Sequence, residues 1–142
     1  MTTLDKAAIE HRLITIRKTV VQLESAGRVD VSRLDQYHGH GIAIERMLAI
    51  LDDLAFAINR HVAVVVLGEA PPTSEASFAA AQKAGLIDEE LAIALTPEDG
   101  PHNVLVQLSL DAEPGAIEGI VAGAIAAYQE YARQVAGWTS AQ

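Results

Sequence analysis

The stretch IERMLAILDDLAFAINRHVAVVVL, residues 44–67, decides how the rest of the chain reads. Ile44, Leu48, Leu51, Ala55, Ile58, Val62 and Val65 follow one another at steps of four and three over three heptads, a period that a helix turns into one apolar stripe. Glu45, Arg46, Asp52, Asp53, Asn59 and Arg60 form a narrow polar stripe. Met47, Ile50, Leu54, Ala57 and Val64 fill the space between the two, so most of the circumference is apolar. Such a helix has to be covered on several sides, more than four or five short neighbours in one chain can manage. A homodimer is therefore expected. The β-branched runs Val62–Val66 and Val104–Val106 suit strands by composition, but both continue helical patterns and neither has a second strand to pair with.

Upstream, Ile9, Leu13, Ile16, Val20 and Leu23 repeat the four-three step, which predicts a first helix over Leu4–Ala26 closed by Gly27. Ser32 and Asp35 have the spacing of a capping box at the start of the long helix. Downstream, Gly68 and the Pro71-Pro72 pair stop it, and residues 68–74 read as a loop. A short helix is expected over Glu75–Ala84, ended by Gly85, and another over Glu89–Leu95, capped by Asp88 and broken by Pro97. Pro101 suits a first helical position, so Pro101–Ser109 reads as a further helical piece. Asp111 can cap the last helix, on which Ile117, Val121, Ala124, Tyr128, Tyr131 and Val135 share one stripe. The fold class that follows is all-α, an antiparallel bundle of four to five helices.

With 142 residues, half of them hydrophobic, the chain can bury one sizeable core, and a single helical domain over residues 1–142 is expected. It has no cysteine, which rules out a disulfide framework, thiolate metal site or thiol nucleophile. The first residues lack the apolar run of a signal peptide, and the longest apolar stretch, Val62–Gly68, is far below the ~20 residues that span a bilayer. A cytoplasmic protein without membrane contact is the expectation. Ten basic against nineteen acidic residues leave a formal charge of −9, which encodes no long-range attraction to a nucleic acid backbone. DNA binding is not expected. Lys6, Arg17, Lys18, Arg28 and Arg33 gather in the first quarter, but Glu10, Glu24, Asp30 and Asp35 alternate with them, as on a solvated helix face.

From about Arg33 to Val135 the order of features resembles the HepT-like family of the HEPN superfamily, the ribonuclease toxins of bacterial toxin–antitoxin systems. The long apolar helix leads to a Gly-Pro loop, then Ser77-Phe78, Ala84-Gly85-Leu86-Ile87 and the Glu89-Glu90-Leu91 helix. Gly100-Pro101-His102-Asn103-Val104-Leu105-Val106-Gln107 follows, and a final amphipathic helix after Asp111. In the family the central stretch typically reads Gly-Phe-Arg-Asn-Val-Leu-Val-His, with Tyr two residues later, and its Arg and His form the ribonuclease motif. The resemblance implies a helical bundle, a homodimer and a nucleotidyltransferase-type antitoxin as partner. It places the motif at His102, Asn103, Gln107 and Ser109, with His102 in the place of Arg, Gln107 in the place of His and Ser109 in the place of Tyr.

Attack by a ribose 2′-OH needs an acid or base near neutral pH and a cation for the charge that builds on the phosphate. Gln107 cannot exchange a proton, and an imidazole at 102 lacks the permanent charge and the fork of a guanidinium. The expectation is an interaction protein on a toxin scaffold, non-catalytic or weakly active. The first alternative is a ribonuclease with rearranged groups, in which His102 acts as acid or base and Arg46 or Arg60 supplies the cation. The second is a bundle that binds a small molecule between Gln107, Ser109 and the long helix. RNA as a partner stays open.

Other candidate groups have simpler readings. His38 and His40 on a helix point about 200° apart, and with His61 and His102 they form no diagnostic ligand spacing. No metal and no cofactor is expected. Asp52-Asp53 falls on the polar stripe and reads as a solvated face rather than an acid–base pair. Tyr128 and Tyr131 read as core residues with a hydroxyl at the edge. Gly115, Gly119 and Gly123, continued by Ala127, make a smooth face whose expected use is a tight crossing inside the chain, with a subunit interface as the alternative.

Overall fold

The computed structural model describes residues 3–28, 38–96 and 114–142. Within them the chain is helical, with no strand: α1 (Lys6–Arg28), α2 (His38–Leu67), α3 (Ser74–Lys83), α4 (Glu89–Ala94) and α5 (Pro114–Ser140). The Ser32–Asp35 capping box, Pro97, the Pro101–Ser109 helical piece and Asp111 lie outside the described residues.

Direction follows from side-chain contacts. The Asp5 N–H at the start of α1 donates to His61 near the end of α2 (2.9 Å), and Lys6 Nζ donates to the carbonyl of Gln142 beyond the end of α5. Gln129, further back along α5, reaches Glu24 near the end of α1. Thus α1 runs antiparallel to both long helices. It packs against both, α3 lies on α2, and α4 bridges α3 and α5. Ser74 bonds to Asp52, fifteen positions before the end of α2, so the connection 68–73 doubles back along that helix. That is about 22 Å at 1.5 Å per residue, within the reach of a nearly extended link of this length. Gly68 begins the reversal with φ +73°, in the left-handed region that glycine enters without a Cβ penalty.

The helix ends obey local chemistry. Asp5 Oδ1 caps α1 through the Ala8 N–H, Thr73 Oγ1 caps α3 through the Ala76 N–H, and Asp88 Oδ1 caps α4 through the Leu91 N–H. At the end of α3 the Leu86 N–H bonds to the Ala81 carbonyl and the Gly85 N–H to that of Gln82, with Gly85 at φ +84°. This is a Schellman closure, which satisfies carbonyls that the helix leaves open. Gly27 does not end α1, which continues to Arg28.

Ile9, Leu13, Ile16, Val20 and Leu23 from α1, Ile44, Leu48, Leu51, Ala55, Ile58 and Val62 from α2, and Val121, Tyr128, Tyr131 and Val135 from α5 are all buried in one cluster. Phe78, Leu86, Ile87 and Leu91 close it from the α3–α4 side. Val65, the last member of the α2 stripe, is only half-buried. No helix among the described residues is long and apolar enough to cross a membrane.

Candidate functional site

A polar seam runs through this core. Asn59 sits on the polar stripe of α2, yet it is fully buried, because position 59 follows Ala55 by one turn and faces α3 and α5. Tyr131 Oη donates to Asn59 Oδ1 (2.6 Å), with the Ala55 carbonyl also within reach at 3.2 Å. The Asn59 amide donates in turn to Ser77 Oγ (3.1 Å), and Ser77 Oγ donates to the Ser74 carbonyl (2.6 Å). Ser74 Oγ then donates to Asp52 Oδ1 (2.6 Å), so the chain of bonds ends on a half-buried carboxylate. The Asp52-Asp53 pair is thus split. Asp52 ties α2 to α3, and only Asp53 is exposed.

The seam is closed as well as buried. Among the described residues no buried side-chain nitrogen or oxygen lacks a hydrogen-bond partner, so no orphaned group points toward a missing ligand. Its hydroxyls are poor acids. Burial raises the pKa of Tyr131, with the neighbouring Tyr128 adding to the shift, and burial followed by the carboxylates of Asp52 and Asp53 raises that of Tyr128. Edge-on contacts of Phe78 and Tyr128 with the Tyr131 ring, at 6.2 and 6.5 Å between centroids, fix its orientation. The seam ties α2, α3 and α5 together in a fixed register.

A second polar cluster joins α4 to α5. Gln134 accepts from the Asp88 N–H (2.8 Å) and donates to Asp88 Oδ2 (2.9 Å) and Glu130 Oε1 (3.0 Å). Arg133 pairs with the same Glu130. The hydrogen bonds from Arg133 and then Gln134 lower the Glu130 pKa from the ordinary 4.5 to about 2.

The sequence-predicted motif residues His102, Asn103, Gln107 and Ser109 lie outside the described residues, as does the pocket expected between Gln107, Ser109 and the long helix. Arg46 and Arg60, the two candidate substitute cations, are both exposed on α2. His38 and His40 fall in the first turn of α2, and His61 uses Nε2 to accept the Asp5 N–H, which occupies one of its two metal-binding nitrogens. No group of three or more His, Asp or Glu among the described residues could hold a metal ion. An open groove of about 470 Å³ lies between α3 and α4, walled by Ala76, Ala79, Ala92 and Ile93 with Glu75 at its rim.

The glycine face also departs from expectation. A Cβ built on Gly119 or Gly123 meets nothing within 4 Å, so no crossing among the described residues uses these two positions. With Ala122 and Ala126 they form an exposed strip on α5, while the opposite side of that helix, at Val121, Tyr128 and Val135, is buried. Nothing is described of the surroundings of Gly115.

No family model matches the chain. A curated protein of Aphanizomenon flos-aquae (strain 2012/KM1/D3), named tRNA nuclease HepT, is 24% identical over 135 residues, which is 95% of this chain and 92% of that protein. Among solved structures, a chain of a mutant MntA-HpeT toxin-antitoxin crystal structure shares the fold with a TM-score of 0.76 at 18% identity, covering 92% of this chain and 98% of that one. The chain is similar to HepT proteins in sequence and in fold. The likeness runs nearly end to end in both comparisons, and the fold shared with the solved structure is the whole helical bundle rather than one segment.

Proposed function

We propose that this HepT-like chain is a cytoplasmic toxin–antitoxin protein that acts as a homodimer, binds a nucleotidyltransferase-type antitoxin and has lost effective ribonuclease chemistry. The proposal is supported by a likeness to HepT proteins along nearly the whole chain, together with the sequence resemblance that sets His102 and Gln107 where the family motif has Arg and His. Gln107 removes the proton-transfer group, typically worth 10²–10⁴-fold in rate. His102 removes a permanent cation, and a chain of net charge −9 offers no substitute from a distance. Pairing of two chains is supported by the large side chains that one copy leaves uncovered on the apolar helix, Ile50 at 39% and Val66 at 46% exposure.

The match to a protein named tRNA nuclease favours one alternative, an active enzyme in which His102 serves as acid or base. Incubation of purified protein with tRNA at neutral pH separates the two readings. The proposal expects background cleavage for both the unmodified protein and His102→Ala. The alternative expects cleavage that His102→Ala abolishes.

A further inference from the structure

We draw no further inference here: the strongest candidate, the outward face of α1 where Ile14 and Val21 stand 49% and 60% exposed beside the exposed Arg17 and Lys18, is an unpartnered apolar face, and nothing in the structure shows what covers it.

Discussion

Replacing Tyr131 by Phe would strip Asn59 Oδ1 of its 2.6 Å donor inside a seam that water does not reach. An unsatisfied buried polar atom costs about 1–3 kcal/mol, so Tyr131→Phe is expected to lower unfolding free energy by that amount while helix content stays unchanged. Chemical denaturation followed by circular dichroism measures both. A loss below about 0.5 kcal/mol would show that the seam contributes little, since a typical single hydrogen bond nets about 1 kcal/mol. Glu130 makes a different prediction. Its folded pKa lies below the ordinary value, so its contribution to stability is complete above about pH 4.5 and fades as pH falls toward about 2. Carboxyl NMR should place the Glu130 midpoint near 2, and Arg133→Ala should raise it, because the guanidinium supplies the largest part of the shift. The Glu130 side chain is partly open to solvent and its partner Arg133 is exposed, so salt should weaken the effect. Of these residues, Tyr131 was legible from its place on the α5 stripe. Asn59 was not, because heptad counting set it beside Asp52 and Asp53, whereas its step of four from the buried Ala55 decides its surroundings.

The helices were legible for a physical reason. Where apolar residues recur at steps of three and four, burial of that stripe and the helical backbone favour the same structure, and the stripes of α1, α2 and α5 are buried apart from half-buried Val65 and Ala124 among their described members. Caps at Asp88 and the stop at Gly85 could be read for the same local reason. Gly27 was misread because glycine is a common stop signal but does not compel one, and α1 runs past it to Arg28. The glycine strip of α5 was harder, since small residues at a four-residue spacing do not say which neighbour they admit. Open space at Gly119 and Gly123 now carries a prediction of definite sign. Gly119→Ala and Gly123→Ala should each stabilise the folded chain by up to about 1 kcal/mol, because an exposed helical glycine costs that much relative to alanine and no described atom opposes the new methyl group. Destabilisation by either substitution would mean that the strip is covered in solution. Asp88→Ala should cost more than the ~1 kcal/mol of an ordinary cap, because the carboxylate also holds Gln134 of α5. Thermal unfolding provides the comparison with Thr73→Ala, whose hydroxyl shows no such second bond.

At the scale of the whole molecule, the fold and the likeness to HepT proteins were readable from one chain because both rest on the order of long elements, which the likeness in sequence and structure follows nearly end to end. Chemistry was harder to read. It depends on how individual side chains such as those of His102 and Gln107 are placed, which periodicity does not encode. Light scattering at micromolar concentration should report twice the chain mass, and a clean monomer would contradict the proposed dimer. The central claim is that the altered motif, rather than the scaffold, limits activity. Its most direct test is the initial rate of tRNA cleavage at neutral pH by the unmodified protein, by the double variant His102→Arg with Gln107→His, and by a HepT protein with an intact motif. The account predicts background cleavage by the unmodified protein and a gain of at least about 100-fold in the double variant, the low end of what one proton-transfer group contributes. Cleavage by the unmodified protein at a rate comparable to the intact-motif protein, lost on His102→Ala, would contradict it.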